Sequence, residues 1–213
     1  MARVIVIGGH GKVALQLAQI LTERGDEVSS VFRNPDHTDD VAATGAKPVN
    51  ADIEQLDTHA LTDLLVGHDA VVFSAGAGGG NPARTYAVDR DAAIRVIDAA
   101  AQAGVRRFVM VSYFGAGPDH GVPQDDPFFA YAEAKAAADA HLRASDLDWT
   151  VLGPGRLTLE PATGRITVGQ GKGEVSRADV ALVVAAALAD DSTIRRTIEF
   201  NNGDIPIAEA LAT

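Results

Sequence analysis

The chain has 213 residues, 46% hydrophobic and 22% charged, with 29 acidic against 18 basic side chains and a formal net charge of −11. That length suffices for one sizeable core and is short for two, and the acidic balance excludes the basic face that nucleic acid or an anionic membrane surface requires of a partner. With no cysteine, disulfides, thiolate metal sites and a cysteine nucleophile are excluded as well. No apolar run reaches the roughly 18 residues of a membrane span, and the N-terminus enters a strand without a signal-peptide layout, so a cytoplasmic protein is expected. The histidines at 10, 37, 59, 68, 120 and 141 have no metal-ligand spacing, and no metal is expected.

Val4 to Ile7 is a run of four apolar β-formers, the pattern of a parallel strand buried on both faces. Gly8, Gly9 and Gly11 follow at once, and Val13, Leu17, Ile20 and Leu21 then take helical spacing up to Gly25. Gly8, Gly11 and Ala14 fit G-x-x-G-x-x-A. Gly8 suits the tight turn, Gly11 the close approach of a pyrophosphate, and Ala14 close helix packing. A helix start offers unpaired N–H groups and a positive dipole end, so Gly8, His10, Gly11, Lys12 and Val13 are the expected diphosphate contacts.

A second strand spans 27–32 and ends at Arg33, where an acid would accept from an adenosine 2′-hydroxyl and an arginine accommodates a 2′-phosphate. The alternative is an exposed arginine opening the Asn34-Pro35-Asp36 turn, with Asp36 as a ribose ligand. A short third strand, 46–50, precedes Asp52 and Gln55, which read as a helix-capping pair, with a place for Asp52 and Ile53 beside the adenine as the other possibility. The fourth strand, 69–73, runs into Ser74, Ala75, Gly76 and further glycines to Pro82, a loop suited to close approach of a ligand or a mobile surface loop.

An alanine-rich helix is expected over 84–103, then a fifth strand over 107–111 ending at Ser112. Glycines and prolines make 115–127 a loop beyond a strand's carboxyl end, hence a candidate substrate lid. A helix from Pro127 to about 144, a sixth strand over 149–152 leading to Pro154, and a short hairpin around 166–168 follow. Ser176 and Asp179 cap a helix to 189, and a last strand, 197–201, precedes a short helix. The alternation predicts one α/β domain over 1–213, doubly wound on a mostly parallel sheet of about seven strands, with small substrate-side elements near 115–127 and 157–177.

Tyr131 and Lys135 stand one helical turn apart, so the ammonium can stabilise a phenolate and lower a pKa otherwise about 10, making the tyrosine a general acid. At this point the chain resembles the short-chain dehydrogenase/reductase superfamily, through the glycine turn, the post-strand arginine, the serine ending the fifth strand and Y-x-x-x-K. The runs 109–112, 131–139, 147–150, Pro154-Gly155 and 176–180 are more narrowly similar to its atypical NADP-binding subgroup of epimerase- or reductase-like proteins. The resemblance implies a single-domain Rossmann fold and NADP rather than NAD as cofactor. It also implies Ser112 on the substrate carbonyl, Tyr131 as proton donor, Lys135 on the nicotinamide ribose, and Asp89 in place of the superfamily's asparagine. The implied cofactor contacts are Gly8, His10, Gly11, Lys12, Val13, Arg33, Asp52, Ile53, Ser74, Ala75, Gly76, Lys135 and Pro154. The expected activity is hydride transfer to a small carbonyl-type molecule. An epimerase or dehydratase, or a non-catalytic NADP-binding sensor, is the alternative, with a monomer or homodimer equally open.

Overall fold

A computed structural model describes residues 1–78 and 80–212. Gly79, in the glycine loop expected after the fourth strand, lies outside the described residues. The chain runs β1 (Arg3–Ile7), α1 (Lys12–Glu23), β2 (Glu27–Phe32), α2 (Thr38–Ala42), β3 (Lys47–Asn50), α3 (Thr58–Leu65), β4 (Ala70–Phe73) and α4 (Pro82–Thr85). A π-helical stretch, Tyr86–Ala92, joins α4 to α5 (Ala93–Ala103), followed by β5 (Arg107–Val111), α6 (Phe129–Ala144), β6 (Asp148–Pro154), β7 (Arg156–Thr158) and β8 (Arg165–Val168). The chain closes with β9 (Glu174–Ser176), α7 (Arg177–Ala189), β10 (Arg196–Asn202), β11 (Ile205–Pro206) and α8 (Ile207–Leu211). No helix among the described residues is long and apolar enough to cross a membrane.

β1 is central because both its faces are apolar. Val4 and Val6 pack with Leu17, Leu21, Val183 and Val184 of α1 and α7. Ile5 and Ile7 pack on the other side with Leu61, Leu65, Val96 and Phe108. Strand alternation thus makes two cores from one strand, one under each helical layer. The order β3-β2-β1-β4-β5-β6-β10 is parallel throughout, with Val4 opposite both Val28 and Ala70. This is a doubly wound Rossmann sheet, and the order reverses between β1 and β4, where such sheets open a crevice at the strands' carboxyl ends.

Three local expectations change. The segment around 166–168 is not a local hairpin: β8 pairs antiparallel with β10, Phe200 opposite Val168, and β11 adds to its other edge. The sheet therefore gains two strands beyond its seven parallel ones, while β7 and β9 form a separate parallel pair. Asp52 caps a turn by accepting from Glu54 N at 3.0 Å, and the helix cap is Asp57, which accepts from Ala60 N at 2.8 Å. Asn50 side-chain bonds to the Phe32 and Arg33 carbonyls hold the preceding strand end, so the chain makes its turn before helix can begin. The alanine-rich helix starts at Pro82 behind the Asn81 cap and takes π geometry at Tyr86–Ala92.

The Ser176 and Asp179 cap does form, and it reaches further than α7. Buried Asp179 also accepts from the backbone N–H groups of Thr163 and Gly164, at 3.0 and 2.8 Å, and so ties the start of β8 to the helix. Asp179→Ala strands those donors, and it should lower stability by about 1–3 kcal/mol, read as a lower urea midpoint with an unchanged slope.

Candidate active site

The glycine turn is shaped by the neighbouring strand. Gly8 has φ +87°, and a Cβ there would stand 2.5 Å from the Ala75 Cα, so only glycine lets the ends of β1 and β4 approach. Gly11 differs. Its φ of −61° suits any residue, an added Cβ would press on Gly8 O of the turn at 3.2 Å, and the residue lines the cleft. α1 starts from Gly11 with no side-chain cap and no acidic residue in its first turn, leaving its first N–H groups for a ligand. This cradle fits a dinucleotide diphosphate.

A cleft of about 280 Å³ opens from that turn, lined by Gly8, His10, Gly11, Arg33, Asp52, Ile53, Ser74, Ala75 and Gly76 of the expected set. Asn34, His37, Glu54 and Arg84 line it too. Arg33 Nη1 donates to Glu54 Oε1 at 3.1 Å, and Arg84 Nε donates to the same oxygen at 3.2 Å. Two guanidinium groups thus meet at one carboxylate, with Asp52 as the second acidic residue of the lining. The His10 and His37 rings stack at 3.5 Å, and His10 Nε2 is 2.9 Å from Asp40 Oδ2. Lys12 and Val13 begin α1 beside the cleft without lining it.

A second pocket of about 460 Å³ lies beyond the ends of β5 and β6, lined by Ser112, Tyr113, Phe114, Phe128, Tyr131, Pro154, Arg156, Leu157 and Lys172 among others. The Tyr113 and Phe128 rings meet edge to face at 5.1 Å, and Tyr131 is 5.1 Å from Phe128 and 5.6 Å from Tyr113. These rings form an apolar wall. Opposite it Arg156 pairs with Glu174, while Lys172 is exposed. The chain of 112–128 contributes Ser112, Tyr113, Phe114 and Phe128 to this pocket without forming helix or strand.

A buried polar group underlies this pocket. Lys135 is 1% exposed; its Nζ donates to Val111 O at 3.0 Å and lies 3.8 Å from Asp89 Oδ1. Asp89 is fully buried in the π-helical stretch, and its other oxygen accepts from Ala77 N at 3.0 Å. Ser112 Oγ donates to Asp139 Oδ2 at 2.6 Å, and Asp139 is fully buried also. Burial pushes the Asp89 and Asp139 carboxyls up, against the downward pull of Lys135.

The structure brings the expected tyrosine and lysine together on one face of α6, with the ammonium over the ring. Lys135 Nζ lies 5.9 Å from the centre of the Tyr131 ring and spends its hydrogen bond on Val111. The Tyr131 hydroxyl is pushed up in pKa, first by burial and then by Asp89 and Asp139, rather than lowered. Ser112, expected on the substrate carbonyl, is engaged to Asp139 in the free protein. The remaining expected positions divide: Pro154 belongs to the second pocket, and Lys135 and Asp89 sit beneath it. Sequence reasoning gave no role to Glu54, Arg84, Tyr113 or Phe128, which carry no motif. Asp139 had a readable signal, since it continues the four-residue step from Tyr131 through Lys135.

An open α/β sheet with a glycine turn at its switch point and a cleft for a diphosphate defines a dinucleotide-binding protein. The chain belongs to the NAD(P)H-binding family, whose model matches residues 8–191. It is 35% identical to the uncharacterized sugar epimerase YhfK of Bacillus subtilis, over 98% of each chain, and 33% identical to a UPF0659 protein of Schizosaccharomyces pombe, over 98% of this chain and 93% of that one. A Bacillus halodurans structure described as an NAD-dependent epimerase/dehydratase superposes with a TM-score of 0.90 at 35% identity, covering 99% of both chains. The Lactococcus lactis oxidoreductase ylbE superposes at 0.88 with 28% identity, over 98% of this chain and 94% of that one. The resemblance to atypical short-chain dehydrogenases/reductases is borne out.

Because Gly11 lines the cleft at an ordinary φ and an added Cβ meets nothing nearer than 3.2 Å, Gly11→Val should keep the fold, read as an unchanged circular dichroism spectrum, and abolish NADPH binding in calorimetry. Gly8→Val, driven into Ala75, should instead lose stability first.

Proposed function

We propose that the protein is an NADP-dependent oxidoreductase that moves hydride from the nicotinamide to a small carbonyl-type or similar acceptor. The observation that carries this reading is the juxtaposition of two pockets along the carboxyl edge of one sheet. A charged cleft opens from the glycine turn, and an aromatic pocket lined by Ser112 and Tyr131 lies at the ends of β5 and β6. The cofactor supplies the hydride. Ser112 orients the acceptor, the rings of Tyr113, Phe128 and Tyr131 exclude water from it, and buried Lys135 and Asp89 hold the end of β5 and the loop at Ala77 in place.

The NADP preference rests on Arg33 and Arg84, which meet at Glu54 and can offer a 2′-phosphate charge-assisted hydrogen bonds from two guanidinium groups. The name of the Bacillus subtilis relative favours a second reading, an epimerase in which the same cofactor is reduced and reoxidised within one turnover.

A panel of quinones, aldehydes, ketones and flavins assayed for NADPH consumption separates the two. Net oxidation marks a reductase, and substrate change without net oxidation an epimerase. For the cofactor, a charge-assisted hydrogen bond is worth about 1.5–3 kcal/mol and 1.4 kcal/mol is about tenfold. Glu54 already holds Arg33 in the free protein, so Arg33→Ala should weaken NADPH by about tenfold, the lower end of that range, and leave NADH nearly unchanged. Equal losses for both would sink the NADP assignment.

A further inference from the structure

Two buried carboxyls, Asp89 and Asp139, share one ammonium beneath the aromatic pocket. An unpaired buried charge costs several kcal/mol, so one ammonium can keep one carboxyl ionised and the other retains a proton. The contacts say which. Asp89 has Lys135 at 3.8 Å and the Ala77 N–H at 3.0 Å, both of which favour the anion. Asp139 has neither a backbone donor nor an ion pair within 4 Å among the described residues: Oδ2 meets the Ser112 hydroxyl at 2.6 Å, and Oδ1, like Asp89 Oδ1, has no hydrogen-bond partner there, so the difference lies in the ammonium and the Ala77 N–H.

We propose that Asp139 stores the proton that completes the reduction and delivers it to the acceptor through the Ser112 hydroxyl. The proposal rests on the reductase reading above. With its proton in place, Asp139 donates to Ser112 Oγ across the same 2.6 Å, which frees the serine's own hydrogen to point into the pocket that Ser112 lines. Hydride leaves the dihydronicotinamide for the acceptor carbon, the carbonyl electron pair moves to oxygen, and that oxygen takes the Ser112 proton. Ser112 takes the Asp139 proton in the same step. The products are oxidised cofactor, the alcohol and an Asp139 carboxylate, which is reprotonated from water.

Tyr131 is the competing donor, and its surroundings count against it. It lies among Tyr113 and Phe128, and burial and the charge of Asp89 oppose a phenolate. The charges that bear on Asp139 are Lys135 and Arg143 from its own helix, and the carboxylate left when its proton has gone acts in turn on Tyr113 after β5 and on Tyr131. Asp89 of the π-helical stretch, the other carboxyl that Lys135 reaches, is paired with it at 3.8 Å. Asp139 acts through Ser112 and is a positioning and proton-supplying residue.

The first measurement needs no acceptor. An infrared difference spectrum of the parent against Asp139→Asn at neutral pH should contain the carbonyl stretch of a protonated carboxyl group. Its absence, or its removal by Asp89→Asn instead, overturns the proposal. The second uses 9,10-phenanthrenequinone as a probe with NADPH. Asp139→Asn and Ser112→Ala should each lower kcat by roughly 10²-fold or more with NADPH affinity kept, and the double variant should be no slower than either. Asp139→Glu should restore part of the rate, and the alkaline fall of kcat should vanish in Asp139→Asn. Tyr131→Phe should cost far less. A fast Asp139→Asn beside a slow Tyr131→Phe overturns the relay while leaving the reductase reading intact, whereas a parent inactive with every acceptor of the panel overturns that reading itself.

Discussion

The ammonium of Lys135 donates to the Val111 carbonyl at the carboxyl end of β5 and stands 3.8 Å from Asp89, in a place where 1% of the residue is exposed. A charge so placed is tolerated only with its partners in position, so the pairing fixes α6 against β5 and against the π-helical stretch at once. The extra residue of π geometry lies where Asp89 turns inward, and π turns recur at functional positions. Asp89 in turn holds the Ala77 N–H, and with it the loop that borders the cofactor cleft. Strand end, helix and glycine loop meet at one ion pair.

The cofactor side follows a steric constraint. The end of β1 lies so close to both neighbours that a Cβ on Gly8 would strike Ala75 beyond β4, at 2.5 Å, and one on Gly9 would strike Ser30 of β2, at 2.6 Å. That closeness leaves the start of α1 facing outward with its N–H groups free, which is the electrostatic basis of anion binding there. An acidic protein must gather cations locally to hold a phosphorylated cofactor, and Arg33 and Arg84 converge on Glu54 from β2 and α4 to do so. Glu54 holds both arginines in one place in the free protein, at the cost of part of their charge.

The acceptor side is built differently. Its wall is three aromatic rings from two segments, Tyr113 and Phe128 at either end of the 112–128 connection and Tyr131 one turn into α6. Rings packed edge to face tolerate many flat ligands and discriminate by shape, whereas the hydroxyls and carboxyls beneath set the chemistry.

The order of strands and helices was legible in the chain because buried parallel strands are unbroken apolar runs and because positive φ demands glycine. β1, β2 and β5 fall where the runs placed them, α1 ends at Arg24 before Gly25 at φ +92°, and α7 starts at its Ser176 cap. The glycine turn and the shared face of Tyr131 and Lys135 were equally local. What the tertiary structure decided depends on partners distant in sequence. β8 joins β10 some thirty residues on rather than a local hairpin, and Glu54 gathers Arg33 and Arg84 from separations of 21 and 30 residues. Ser112 gives its hydrogen bond to Asp139, 27 residues away, and Lys135 gives its own to Val111, 24 residues away. A four-residue step fixes which helical face a side chain shares, but the burial and the charges around that face, which decide where a proton rests, come from other elements of the fold.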